Sequence, residues 1–410
     1  MRSYLCILLF LLAGSQVSAQ ELTIRPIVNL QLWSIHTTGH ELYDESLGQY
    51  VPVGDRLNFQ LRRSRLGFKG KYGDRLSYSL VTAIDGVGRD IYVATYGPAN
   101  NGASPTLRFW NSSINYRLTP DNDALHVKFG YFAPEVTRES ITSPFRVSGF
   151  EKLWSQNYIR RHVAGSGPGR VMGVVIGGMK IATDSPLAVS YDFGIYNPYF
   201  NQNGGNTAGA NSSNIISGRV VAHIGDPEFS KYGAGRKDNH FGQRRGVSVG
   251  LSATYQGETT TWEQNGLTAI DLLANYDALS FMGEWAFLNR EGGNASMDAT
   301  VIGMRVGYNV RLDDQNLEFT IGQMILNGAT SQADQDEAIA LGAFYGEDRY
   351  TELNVNWYMN KHVKLSLSYT LNSGDPGYYD SPGSGNNYFT QAGESITRGD
   401  FLGIGLNFVY

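Results

Sequence analysis

The stretch Phe401-Leu402-Gly403-Ile404-Gly405-Leu406-Asn407-Phe408-Val409-Tyr410 decides the fold. Leu402, Ile404, Leu406, Phe408 and Tyr410 form one row; Gly403, Gly405, Asn407 and Val409 form the other. A period of two is that of a strand, here with one wholly apolar face. Its length matches the about 9–11 residues with which a tilted strand crosses a bilayer. An open sheet ending on such a strand would leave an unpaired edge that templates aggregation. A closed barrel pairs its last strand with its first and satisfies every backbone group inside a membrane. The alternative is the last strand of a soluble β-sandwich.

The two-row pattern recurs upstream. Leu22, Ile24, Pro26, Val28, Leu30 and Leu32 alternate with Thr23, Arg25, Asn29 and Gln31. Between Arg56 and Tyr72, Leu57, Phe59 and Leu61 are out of phase with Leu66, Phe68 and Tyr72, which predicts a bulge near Arg62. The opposite row of that strand carries Arg63, Arg65, Lys69 and Lys71. Further rows run through Phe129, Phe193, Leu251, Trp285, Val306, Trp357 and Leu367. Counting rows gives about sixteen strands, and many end on Tyr or Trp, as interfacial girdles do. The expected fold is all-β: a closed antiparallel transmembrane β-barrel with short turns at one rim and long loops at the other. Residues 133–168 form the longest connection, and 289–297 one of medium length. Residues 225–246 break the rule: a short turn is due there, and about twenty residues with a basic bias stand in its place.

Composition agrees with one large domain. Gly accounts for 49 of 410 residues and aromatics for 12%, while Pro accounts for only 13 residues. The mean hydropathy of -0.27 does not exclude a membrane barrel, because inward residues dilute every lipid-facing row. Met1-Arg2, an apolar run from Tyr4 to Leu12 and Val17-Ser18-Ala19 read as a signal peptide over 1–19, with the mature chain starting at Gln20. The single cysteine, Cys6, lies inside that leader, so the remainder has no disulfide, thiolate nucleophile or cysteine-based zinc site. Residues 20–205 hold 19 Lys and Arg against 15 Asp and Glu; residues 206–410 hold 13 against 23.

Three blocks carry a family resemblance. Leu61-Arg62-Arg63-Ser64-Arg65-Leu66-Gly67-Phe68-Lys69-Gly70 looks like the "RRARLGxxG" signature of the phosphate-selective porin O/P family. Val127-Lys128-Phe129-Gly130-Tyr131-Phe132-Ala133-Pro134-Glu135 resembles its "LGQFKxPF" block, and Ser190-Tyr191-Asp192-Phe193-Gly194-Ile195-Tyr196-Asn197 its "YxLGVFNG" block. The C-terminal strand resembles the terminal aromatic signal that the barrel assembly machinery reads. The resemblance implies a 16-stranded homotrimeric porin of the bacterial outer membrane, in contact with lipid and lipopolysaccharide, whose third outer loop, here 133–168, folds into the channel. Its expected partners are small hydrophilic solutes, with phosphate or other anions foremost, and no nucleic acid.

A pore acts through charge at its constriction. The candidates are Arg63, Arg65, Lys69 and Lys71 on one strand and Arg138, Lys152, Arg160 and Arg161 in the long loop, joined there by Arg146 and Arg170. Arg is costly on the lipid face, about 2–4 kcal/mol at the midplane, so the strand residues are expected to face inward. Solvated wall pairing, or a plain surface loop, is the competing reading. Asp85, Glu284 and Arg305 fall on inward rows as salt-bridge candidates. Asp313, Asp314, Asp334, Asp336, Glu337, Glu347 and Asp348 are expected in connections, outside the hydrocarbon span. Gly165-Ser166-Gly167-Pro168-Gly169 lacks the Lys-Ser/Thr and helix of a phosphate loop and reads as a turn. His36 with His40 is a weak metal pair, and His162 beside Arg160 and Arg161 could join an anion site. No metal-ligand spacing is present, and no enzyme, cofactor or metal is expected. A general or oligosaccharide porin is the alternative, and a barrel enzyme or adhesin the more distant one.

The terminal row yields a first prediction. A chain ending at Val409 should reach the outer membrane at a clearly lower level, measured by membrane fractionation and immunoblotting. Normal accumulation would contradict an assembly role for Tyr410.

Overall fold

The computed structural model describes residues 22–95, 97, 99–182, 185–375 and 396–410. The proposed leader, 1–19, lies outside them. Sixteen strands close into one barrel: β1 Leu22–Thr38, β2 Arg56–Tyr72, β3 Leu76–Val87, β4 Arg108–Arg117, β5 His126–Phe132, β6 Val171–Ile181, β7 Leu187–Tyr196 and β8 Ile215–Gly225, then β9 Gly246–Gln256, β10 Gln264–Tyr276, β11 Leu279–Gly292, β12 Ala295–Leu312, β13 Gln315–Asn327, β14 Glu347–Tyr358, β15 Val363–Gly374 and β16 Asp400–Val409. Every neighbouring pair in sequence is antiparallel, and β16 closes on β1 from Asn29↔Val409 to Thr38↔Asp400.

The two rows of each strand explain the closure. Leu402, Ile404 and Leu406 are exposed on the outer face of β16, while Phe401, Gly403, Gly405 and Asn407 are buried inside. Around the barrel, Phe68, Phe129, Phe193, Leu251, Ile270, Trp285, Phe319, Leu353 and Leu367 continue the exposed apolar face. A continuous apolar belt on a barrel without edges is a transmembrane surface. Among the described residues no helix is long and apolar enough to cross a membrane.

The phase change in β2 is a bulge. Gln31 pairs with Arg63 and Leu32 with Leu61, so Arg62 is the extra residue. Its insertion lets Phe59 and Leu66 both face lipid, and it turns Arg62 and Arg63 to the interior together.

The inner rim has short turns, such as Asp277-Ala278 and Asp313-Asp314. At the outer rim, Glu41–Asp44, Gln49–Pro52 and Ile396–Thr397 form a small three-stranded sheet. Two expectations need correction. Residues 289–297 are not a medium loop: β11 and β12 run on to a tight turn at Gly293-Asn294, with Gly293 at φ +61. Glu347 and Asp348 do not lie in a connection but open β14; Asp348 is buried and paired with Arg398.

Candidate functional site

The connection between β5 and β6 lies inside the barrel. It carries α1 (Arg138–Ile141) and α2 (Ser155–Ala164). Nearly every residue of α2 is buried, as befits a helix enclosed on all sides. Gly165, in the left-handed region at φ +70, ends it by donating to the Arg161 carbonyl at 2.9 Å, so the glycine-rich run is a helix stop. The helix packs on an apolar part of the inner wall that includes Leu267, Met282, Leu288, Val301 and Met324. Polar contacts fix its azimuth: Ser155 Oγ donates to Glu284 at 2.6 Å, Tyr158 Oη donates to Asp348, and Asn265 donates to the His162 carbonyl at 2.9 Å. His162 itself meets the Gly266 carbonyl through Nε2 at 2.7 Å and is a wall contact.

Ahead of α2, Phe150 stacks on Trp33 with centroids 4.5 Å apart and planes 21° apart. This contact explains the inner row of β16. A Cβ at Gly403 would lie 2.7 Å from Phe150 Cζ, and one at Gly405 2.7 Å from Phe150 Cε2. Glycine leaves the ring room to lie flat on the wall.

Charge is distributed through the same packing. Glu151 accepts from Arg63 at 2.6 Å and from Arg62 at 3.0 Å, so the bulge in β2 holds two guanidiniums on one loop carboxylate. Arg65 pairs with Asp85 and lies 3.8 Å over the Trp110 ring; Arg170 lies over the same ring at 3.6 Å. Arg305 pairs with Glu352 at 2.9 Å, with Asp238 at 3.5 Å and with Glu139 at 3.8 Å. Burial pushes the Glu139 carboxyl up to about 8. Lys152 donates to the Ser140 carbonyl at 3.1 Å, and burial holds its amine well below the usual range. Arg160 also donates to the Ser140 carbonyl.

Residues 226–245 are the part that sequence reasoning left without a role. They enter the barrel from the inner rim. Glu228 pairs with Arg138, and Asp238 lies 3.9 Å from Arg138. Asn239 donates to Asn309 at 2.7 Å, Asn275 donates to the Asp238 carbonyl at 3.1 Å, and Phe241 meets Tyr358 edge to face at 4.8 Å. The connection's excess length at a rim of short turns was its one sequence signal.

The eight candidate cations therefore separate. Arg63, Arg65 and Arg138 are buried in ion pairs, and Lys152 and Arg160 cap loop carbonyls. Arg161 is half-buried on α2, and Lys69 and Lys71 are exposed near the inner end of β2. Inward residues of β8–β16 are nearly all buried, whereas Arg25, Lys69, Lys71, Ser77, Ser79, Ser113, Asn115 and Lys128 on β1–β5 keep partial or full exposure. Among the described residues, Arg25, Lys69, Lys71, Arg146 and Lys237 make no ion pair.

No protein-family model matches the chain, and no curated protein matches it. Solved structures do. An anion-selective porin from Comamonas acidovorans matches with a TM-score of 0.56 at 12% identity, covering 95% of this chain and all of that one. The outer membrane channel DcaP of Acinetobacter baumannii matches with a TM-score of 0.54 at 11% identity over 96% and 99% of the two chains. Pseudomonas putida OprB matches with a TM-score of 0.57 at 10% identity over 94% of each. At such identities the likeness shows the fold: this chain has the barrel architecture of outer-membrane porins.

Two outcomes follow. Glu228→Ala leaves Arg138 short of its closest carboxylate and should destabilise the folded barrel by about 3 kcal/mol, as lost buried ion-pair partners do; a urea unfolding midpoint in detergent measures it, and an unshifted midpoint contradicts it. Gly405→Val should unseat Phe150, giving a noisier single-channel current than wild type at unchanged barrel yield; quiet, wild-type current would show that the ring does not need the glycine.

Proposed function

We propose that this chain is an outer-membrane porin that passes small hydrophilic anions by passive, non-enzymatic diffusion, with phosphate among the candidate solutes. Its location is the outer membrane, where edge-free barrels with an apolar belt reside. The observation that carries the anion reading is the unpaired positive surplus on the partly exposed side of the lumen. Arg25 and Lys69 stand directly opposite each other across β1 and β2, and so do Thr23 and Lys71. Like charges in direct register are destabilising, and among the described residues no acid forms an ion pair with either of them. Three acids on the same side are engaged: Asp85 with Arg65, Asp123 near Arg117 and His126, Glu135 with Lys128 and Arg236. The net charge of -5 does not oppose this, because the local field at the passage sets selectivity.

Homotrimeric assembly and phosphate preference rest on the motif resemblance. A general or oligosaccharide porin is the second reading; the cations stacked on aromatic rings at Trp110 favour it to the extent that they form a sugar-sized polar and aromatic surface.

Planar-bilayer recordings in a salt gradient test the proposal. The wild type should conduct in discrete steps with a reversal potential on the anion side, and Arg25→Glu with Lys69→Glu should lower the anion-to-cation permeability ratio about two-fold or more. Cation preference in the wild type, or a double variant with unchanged reversal potential, would overturn the anion reading.

A further inference from the structure

Six of the seven connections at the inner rim span two to eight residues; the segment 226–245 spans twenty. The barrel does not need that length, because Gly225 and Gly246 already pair with each other at the end of β8 and β9. A two-residue turn would close this hairpin. The extra chain is folded up into the lumen and meets the loop that descends from the outer rim. We propose that 226–245 is the inner jaw of the constriction: it clamps the outer loop in place and supplies Lys237 to the cationic surface that permeating anions cross. This inference rests on the porin reading and adds a second structural part to its filter.

The clamp is built from contacts of three kinds. The carboxylate of Glu228 meets the Arg138 guanidinium, both fully buried. Backbone groups engage in both directions: Ser148 N–H donates to Asp238 Oδ2 at 3.3 Å, and Asp238 N–H donates to the Arg146 carbonyl at 3.2 Å. Arg146 returns the contact by donating from Nη1 to the Gly235 carbonyl at 3.1 Å. Asp238 also reaches Arg305 on the wall at 3.5 Å, so one residue ties jaw, loop and barrel together. Charges this deeply enclosed contribute little net stability but a definite register, since each misplaced partner would be a buried, uncompensated ion.

The jaw's chemistry fits a small anion. A Cβ at Gly235 would lie 2.5 Å from Arg146 Nη1, so a side chain there would shift the guanidinium. The missing side chain lets the Arg146 guanidinium lie along the jaw backbone while the group stays exposed. Lys237, two residues on, is partly exposed and has no ion pair among the described residues. Loop and jaw thus each bring a cation with no ion pair among the described residues to one contact, Arg146 on the Gly235 carbonyl and Lys237 two residues on. A mobile anion supplies the counter-charge that the fold omits.

Three variants test this. Replacing 226–245 by Asn-Gly should raise single-channel conductance about two-fold or more and lower anion preference, as removal of a constriction with its charge does. Lys237→Gln should lower anion preference while leaving conductance steps near wild type. A readout independent of conduction covers the clamp: in the folded wild type, trypsin should leave the bond after Lys237 intact, and in Arg138→Ala it should cut there. A conducting wild type whose conductance and reversal potential survive both the replacement and Lys237→Gln would overturn the jaw. Rapid cleavage after Lys237 in the wild type would overturn the clamp. A wild type that never conducts, yet resists trypsin at Lys237, would sink the porin reading and leave the clamp standing.

Discussion

Arg138 and Glu228 hold the interior together. One comes from a loop rooted at the outer rim and the other from a segment rooted at the inner rim, and they meet with both side chains essentially out of water. Asp238 adds a second point by lying between Arg138 and Arg305. A pair of this kind gains little over a well-packed apolar substitute, because desolvation cancels most of the Coulombic attraction. Losing one partner is costly, so the network acts as a specification: the two segments fit in one arrangement, and others leave a buried charge alone. The apolar contacts of α2 with Leu267, Met282 and Val301 provide the bulk attraction, and the ion pairs choose the register.

This division has a consequence for the pore. Most of the arginines that a linear reading assigns to the filter are engaged inside the fold. Arg62 and Arg63 are engaged by Glu151, Arg65 by Asp85, and Arg138 by Glu228. What remains for a solute includes Arg25, Lys69, Lys71, Arg146 and Lys237, which make no ion pair among the described residues. Selectivity then comes from the charges the fold leaves unbalanced, and a chain with net charge of -5 can still present a positive passage.

Much of the barrel was legible in the sequence, and the reasons are local. The outer rows read cleanly because lipid demands apolar side chains at every second position. The bulge at Arg62 was legible because it reverses the phase of one row. The inner rows were harder to read. Leu267, Met282, Val301 and Met324 face inward and are apolar because α2 covers them, so their strands are apolar on both faces and period two carries no information about which side is which. Inward rows marked Asp85 and Arg305 as paired charges, but the partners across the lumen were not legible: Arg63 and Glu151 are 88 positions apart and Arg138 and Glu228 are 90, and nothing local marks either pair. Asp348 was misplaced for the same reason, since its partner Arg398 is 50 residues away. The jaw announced itself only as a turn too long for its rim.

The central claim is that loop and jaw fill the side of the lumen facing β8–β16 and leave water along β1–β5. The only cysteine of the chain, Cys6, lies outside the described barrel, so single cysteines can report on the interior without background. The direct measurement is the rate at which a small, water-soluble thiol reagent modifies cysteines placed at Ser79 and Ser113 on one wall and at Ser252 and Ser366 on the other. Ser79 and Ser113 are partly exposed, while Ser252 and Ser366 are 8% and 3% exposed. The account predicts fast modification at the first two positions and protection at the last two until the protein is unfolded. Equal rates at Ser79→Cys and Ser366→Cys in the folded protein would contradict it.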